Sequence, residues 1–275
     1  MKIAADYFQK GLGKSLGFLV GALVLGTAFP HLLKGLGTEL PWKLIIFITS
    51  GLAFLGGLLM LILVPNGPFR KQSKQVDFSA FFKVFKNKKF RSAAFGYFGH
   101  MWELYAFWAF VPIMITTFLE LNPKSEINIS LFSFLIIALG GVACVVGGYI
   151  SQNYGTKKTA FSALLISCIL CLLSPLIFYF SSKIFLISYL IIWGLVVIAD
   201  SPLFSTLVAQ NVSAESKGTA LTIVNCIGFF ITIFSIQLLN SLGNSMDVRF
   251  IYIFLAIGPI VGLMALSTSE APASE

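Results

Sequence analysis

Three ionisable side chains stand within long apolar stretches of this sequence. His100 and Glu103 lie three residues apart in GYFGHMWELYAFWAF, residues 96–110, and Asp200 lies in IADSPLFSTLVA, residues 198–209. Residues three apart on a helix share a face, so we expect His100 and Glu103 to interact directly. An imidazole and a carboxyl group placed in this way can exchange a proton.

The setting of these groups gives them two alternative roles. A charged group at the centre of a bilayer costs about 2.5–3.5 kcal/mol on insertion scales, so it usually faces protein or a water-filled cavity. We therefore predict that His100, Glu103 and Asp200 line a pathway for substrate or protons. The alternative is that each is a buried packing residue with local hydrogen bonds.

Other chemistry finds little support in the sequence. His100 and Glu103 could form half of a di-iron carboxylate site, but a second Glu-x-x-His pair is missing. Cys168 and Cys171 have the spacing of a redox pair, yet they stand in LLISCILCLLSP, and we interpret them as packing residues. Phosphate-binding loops and nucleophile elbows are also missing. We predict no metal ion, no cofactor and no enzymatic activity.

Composition places these residues in a membrane. Of the 275 residues 57% are hydrophobic and 11% are charged, and the mean hydropathy is +0.90. A soluble protein is about 45–50% apolar and about 25% charged. A spanning helix needs about 20 apolar residues, and the sequence contains eight such runs. They are residues 15–36, 43–64, 93–118, 128–149, 159–181, 184–209, 219–241 and 250–268. The prediction is an all-α membrane protein, a polytopic helical bundle with the lipid bilayer around it.

The basic residues predict the orientation of the bundle. Fourteen of the 19 Lys and Arg residues fall on the side that holds residues 1–14, 65–92, 151–158 and 210–218. Because cytoplasmic loops carry the excess of Lys and Arg, this side is predicted to be cytoplasmic, with both termini inside. Helix geometry then places Glu103 and Asp200 at similar depth, about 3–5 Å to the cytoplasmic side of the centre.

The link over residues 65–92 is the most basic segment. Within it, four phenylalanines fall at helical spacing, and lysines crowd the remaining surface of VDFSAFFKVFKNKKF, residues 76–90. This pattern predicts an amphipathic helix on an anionic membrane surface, and the alternative is a solvated connector. A nucleic-acid partner is not expected, because no folded basic face or base-stacking module accompanies the charges.

Small residues within the runs predict close packing of helices. Gly17 and Gly21 are four residues apart, as are Gly140, Cys144 and Gly148. Such spacing lets helix backbones approach each other, and van der Waals packing then drives association in lipid.

Several stretches resemble the major facilitator superfamily (MFS) of secondary transporters. The segment GGYISQNYGTKK, residues 147–158, is similar to the family's loop between the second and third helices of each half, although Gln152 and Asn153 replace the usual acid and base. The segment GKSLGFLVGALVLGTAFP, residues 13–30, resembles the family's fifth helix. IADSPLFSTLVA and the stretch around Asn225 resemble the tenth and eleventh helices. The matching residues are Gly148, Gln152, Gly155, Lys157 and Lys158 in the loop, and Gly17, Gly26 and Pro30 in the fifth helix. Gly26 and Pro30 are also expected to serve helix packing, together with the small residues above.

The resemblance implies a partial MFS fold. Residues 1–64 would be a remnant of the N-terminal half, 65–92 the cytoplasmic linker, 93–268 the C-terminal six-helix bundle and 269–275 a cytoplasmic tail. The chain would thus be an N-terminally truncated form, helices five to twelve of twelve.

The resemblance also implies a function. The protein would be a secondary carrier in the cell (inner) membrane for a small molecule or ion, with a coupling proton. His100, Glu103, Asp200 and Asn225 would lie on helices seven, ten and eleven, along the pathway. The alternatives are a non-transporting membrane assembly or regulatory subunit and a polytopic intramembrane enzyme.

Overall fold

The computed structural model describes residues 1–8, 11–36, 41–69 and 84–268, and most of these residues are helical. No strand occurs among them, and the predicted all-α bundle is confirmed. In chain order the helices are α1 (Lys2–Tyr7), α2 (Leu12–Leu36), α3 (Trp42–Leu63), α4 (Lys88–Leu121), α5 (Ile129–Tyr154), α6 (Thr156–Leu173), α7 (Leu176–Tyr179), α8 (Lys183–Ala199), α9 (Ser201–Gln210), α10 (Lys217–Gly243), the 3₁₀ helix η1 (Ile251–Ala256) and α11 (Ile257–Ser267).

Seven helical segments of the described chain are long and apolar enough to span a membrane. Helices α8 and α9 count together as one of them, Lys183–Gln210. The eighth predicted span corresponds to η1 and α11, Ile251–Ser267, which is shorter. A 3₁₀ helix rises about 2.0 Å per residue against about 1.5 Å in an α-helix, so this segment reaches about 28 Å, close to the hydrocarbon thickness of about 30 Å. Its 3₁₀ turns thus compensate for the small number of residues.

Helix α4 is the central element of the bundle. It packs against α10 on one side and α11 on the other, and it also contacts α8 and α9. Asn87 caps its start by accepting hydrogen bonds from the backbone N–H groups of Lys89 and Phe90. Because of this cap, the helix begins at Lys88 rather than at residue 93, where the apolar run begins. His100 and Glu103 lie about midway along this helix, and both are buried.

Helices α2 and α5 pack backbone against backbone. A Cβ on Gly17 would lie 2.7 Å from the carbonyl oxygen of Cys144, and one on Gly21 would lie 2.8 Å from that of Gly141. Further along the pair, a Cβ on Gly148 would lie 3.0 Å from a backbone oxygen of α2. Such distances leave no space for a side chain, so the glycines allow the two backbones to approach closely.

Two glycines of the expected packing set face elsewhere. Gly140 contacts α8, where its Cβ would lie 3.0 Å from the carbonyl oxygen of Gly194. Among the described residues, nothing lies within 4 Å of a Cβ on Gly26, so this glycine does not serve helix packing there. Pro30 stands inside α2, four residues later, and its missing N–H leaves the carbonyl of Gly26 without the usual donor.

The loop expected over residues 147–158 is almost entirely helical. Gly148 and Gln152 belong to α5, whereas Lys157 and Lys158 belong to the first turn of α6. Gly155 alone separates the two helices, with a φ of 86° that favours glycine. The segment is therefore a tight helix–helix turn.

Helix α3 lies outside the buried core of the described residues. No residue of α3 is buried against the described part of the chain. The predicted amphipathic helix falls mostly on residues 70–83, which lie outside the described residues, as does the tail 269–275. Within the described part, Phe85 packs edge-on against Phe90, with ring centroids 5.2 Å apart.

Candidate functional site

Glu103 of α4 is buried at the contact between three helices. Its Oε1 atom accepts hydrogen bonds from Trp193 Nε1 at 2.6 Å, from Cys171 Sγ at 3.2 Å and from the hydroxyl of Ser167. The side chain is 1% exposed. Hydrogen bonds to a charged acceptor are the stronger kind, which suits a carboxylate removed from water.

The three donors belong to two neighbouring helices, α6 and α8. Ser167 and Cys171 are four residues apart on α6, so both point to the same neighbour. Trp193 belongs to α8, and its ring packs against Phe107 with centroids 4.7 Å apart. This contact helps to hold the indole N–H toward Glu103. The cluster therefore joins α4, α6 and α8 through one carboxylate oxygen.

His100 lies one turn before Glu103 and contacts a different acid. Its Nδ1 atom is 2.8 Å from Oδ1 of Asp200, and both side chains are 1% exposed. The distance fits an ion pair, although the two groups are not aligned well enough for a hydrogen bond. The ring of His100 also lies beside those of Tyr97 and Phe204, at 5.9 and 6.1 Å.

Asp200 occupies an interruption of the helix. Helix α8 ends at Ala199 and α9 begins at Ser201, followed by Pro202. Proline has no N–H to offer the carbonyl four residues earlier, that of Ile198. The thiol of Cys144 donates to this carbonyl at 3.5 Å. The break thus puts Asp200 in the middle of a span, opposite His100.

The partner of His100 differs from the sequence-based expectation. His100 and Glu103 share a face of α4, but the structure pairs His100 with Asp200 and Glu103 with donors from α6 and α8. Side chains three apart on one helix lie side by side, whereas groups on facing helices point directly at each other. Both His100 and Glu103 therefore have their closest polar partners on neighbouring helices.

Several polar atoms of this cluster have no hydrogen-bond partner among the described residues. They are both ring nitrogens of His100, both carboxylate oxygens of Asp200 and the Oε2 atom of Glu103. A buried polar atom without a partner is costly, so each one in a native structure needs an explanation, and a functional role is one of these. The same part of the chain contains no group of three or more His, Cys, Asp and Glu residues arranged for a metal ion.

Asn225 lies apart from this cluster. It stands half-buried on α10, with its Nδ2 atom 3.7 Å from Met1 Sδ. Within the described chain it makes no hydrogen bond to His100, Glu103 or Asp200. Of the four predicted pathway residues, the structure therefore brings together three.

The sequence-based expectations do not include the three donors to Glu103. The apolar neighbours of Cys171 favour a packing role, and Ser167 belongs to no motif in the sequence. A usable signal existed, since Ser167 and Cys171 stand four residues apart on one face of an apolar helix. Trp193 gave no such signal, because tryptophan is common in membrane spans without any polar contact.

Comparison with known protein structures identifies a similar fold. The structure is similar to a crystal structure of the E. coli fucose:proton symporter FucP, with a TM-score of 0.59 and 15% identity. The match covers 83% of this chain and 55% of the symporter, so the chain spans about half of that protein's length. No curated protein sequence matches the chain.

The sequence also matches a family model. The model of the Major Facilitator Superfamily aligns with residues 1–236, which is most of the chain. The multi-pass helical architecture and the similarity to a symporter of known structure agree with this match. The chain belongs to the Major Facilitator Superfamily.

Proposed function

We propose that the chain serves the proton-coupled transport of a small solute by alternating access. Carriers of this kind move one bundle against another around a site near the membrane midplane. Family membership supports transport, and the name of the similar protein, a fucose:proton symporter, supports protons as the coupling ion. The protein then resides in the cell membrane, with both termini in the cytoplasm.

One observation carries the proposal: two polar contacts join α4 to the interrupted span of α8 and α9. Glu103 contacts Trp193, and His100 contacts Asp200. Ionisable groups in a membrane are costly and usually belong to substrate or proton pathways. A proton that binds one of these groups changes the attraction between the two spans, which links proton binding to helix movement.

Glu103 is the proposed proton-binding group. Its Oε1 atom is held by three donors, whereas Oε2 has no partner among the described residues and is free to receive a proton. His100 and Asp200 would hold the neighbouring helices together and respond to the charge on Glu103.

Infrared spectroscopy of the reconstituted chain tests this assignment without knowledge of the solute. A protonated buried carboxyl gives a C=O stretch whose intensity depends on pH. We expect this signal in the parent and its loss in Glu103→Gln. Asp247→Asn serves as control, because Asp247 is an exposed acid paired with Arg249. A pH-dependent carboxyl signal that is unchanged in Glu103→Gln would assign proton binding to another residue.

A transport assay extends the test once screening in proteoliposomes identifies a solute. Glu103→Gln is expected to stop accumulation driven by a pH gradient while exchange of the solute continues. His100→Gln is expected to shift the pH dependence and leave accumulation intact. Unchanged accumulation and pH dependence in both variants, at normal expression, would leave the two residues with a packing role.

The proposed orientation gives a separate prediction. Glu215 precedes α10 on the basic side, and Lys124 follows α4 on the other; both are exposed. In a background where Cys226, the exposed native cysteine, is Ser, a membrane-impermeant thiol reagent should label Lys124→Cys in intact cells and not Glu215→Cys. Permeabilised cells should show labelling at both sites. Labelling of Glu215→Cys in intact cells would reverse the orientation.

A further inference from the structure

An apolar groove lies between α5, α6 and α8, on the opposite side of α5 from its contact with α2. Its volume is about 630 Å³, within the range of small-molecule sites, about 300–1,000 Å³. Its walls include Val146 of α5, Ile166 of α6 and Leu195 of α8. Val146 and Ile166 are 47% and 45% exposed, so these walls are open at the surface of the described helices.

One end of the groove is polar and positively charged. Lys158, Thr159 and Ser162 of α6 line it there, together with Tyr154 at the end of α5. Lys158 is exposed, and no acidic residue belongs to the described lining. Toward the middle of the membrane the groove reaches Ala199, next to the helix break at Asp200.

The surroundings of Lys158 add to the positive charge. Its neighbour Lys157 lines a second cavity of about 290 Å³ together with Lys89 and Asn211. The first turn of α6 contains no acidic residue, and Gly155 provides no side-chain cap. The start of a helix carries a partial positive charge, so an anion near Lys158 is favoured by both the lysines and the helix.

We propose that this groove binds an anionic phospholipid. One acyl chain lies along Val146, Ile166 and Leu195, and the phosphate contacts Lys158. The apolar walls of the groove account for binding of the acyl chain. The positive charge at its end accounts for the preference for an anionic headgroup, since basic pockets between membrane helices bind such lipids. The site is distinct from the cluster around Glu103 and does not depend on the transported solute.

Lipid retention measures this site directly. The purified chain is reconstituted in vesicles of phosphatidylcholine and phosphatidylglycerol with identical acyl chains, extracted, and analysed by native mass spectrometry. The unsubstituted protein is expected to retain phosphatidylglycerol in preference to phosphatidylcholine. Lys158→Gln should reduce the ratio of the two retained lipids about fivefold, the effect of one lysine near a membrane surface. Lys183→Gln is the control, because Lys183 is at the start of α8 and does not line the groove. This substitution should leave the ratio unchanged.

A second pair of variants tests the groove itself. Val146→Trp fills it and is expected to reduce retention of the bound lipid while Lys158 remains. Leu61→Trp is the control, because Leu61 is 85% exposed on α3, away from the groove. Normal gel filtration of each variant verifies the fold.

Three results would overturn the proposal. The first is equal retention of both lipids by the parent, and the second is an unchanged ratio in Lys158→Gln. The third is displacement of phosphatidylglycerol by inorganic phosphate alone, which would make the site one for soluble anions. Retention that persists in excess phosphate and decreases in both Lys158→Gln and Val146→Trp supports it.

Discussion

Replacing Asp200 with asparagine is expected to destabilise the bundle by about 3 kcal/mol, within the range for breaking a buried ion pair. The substitution leaves His100 buried opposite a neutral group, in a place where water cannot compensate. His100→Gln should cost a similar amount, because it leaves the charge of Asp200 unpaired. The measurement is unfolding of the purified protein in detergent micelles with increasing sodium dodecyl sulfate, followed by circular dichroism.

The double variant His100→Gln, Asp200→Asn isolates the contact. Two neutral amides can hydrogen-bond each other. The double variant should therefore lose clearly less stability than the two single variants lose together. Asp247→Asn is the control, since it breaks an exposed ion pair with Arg249 and should change stability little. Additive effects of the two substitutions would show that His100 and Asp200 do not interact in the folded protein.

Replacing Gly17 with leucine is expected to separate α2 from α5. The new Cβ would lie 2.7 Å from the carbonyl oxygen of Cys144, a backbone atom that cannot rotate away. Overpacking typically costs about 1–3 kcal/mol, and we expect the upper end here because the rest of the leucine side chain also needs space. The same unfolding assay applies.

Gly26→Leu is the matched control for this prediction. Both glycines belong to α2, and both substitutions remove a residue of low helix propensity. Nothing among the described residues lies within 4 Å of a Cβ on Gly26, so its replacement should leave stability nearly unchanged. Equal stability of Gly17→Leu and Gly26→Leu would contradict the packing of α2 on α5.

The spacing of small residues predicted close helix contacts but not which helices meet. Gly17 and Gly21 share a face of α2, as the sequence indicates, and they contact α5. Gly140 contacts α8 instead, and Gly26 contacts none of the described helices. Spacing along one helix defines a face, but the partner of that face depends on how all the helices pack.

The length and ends of the helices followed the sequence less closely than their number. Apolar runs end where hydropathy falls, whereas helices end where a cap or a special backbone conformation occurs. Asn87 therefore starts α4 five residues before the apolar run, and Gly155 reduces a predicted loop to a single residue. Asn87 and Gly155 can be read in the sequence, but only the backbone geometry shows that they end or begin a helix.

The sequence by itself determined the membrane class, the helical bundle and the three ionisable residues within it. Each of these follows from composition and from the cost of charge in lipid, which any fold of the chain must satisfy. Only the tertiary structure decided that His100 pairs with Asp200 and that Ser167, Cys171 and Trp193 hold Glu103. Hydrogen bonds act over about 3 Å, and residues far apart in the sequence come that close only when the helices pack.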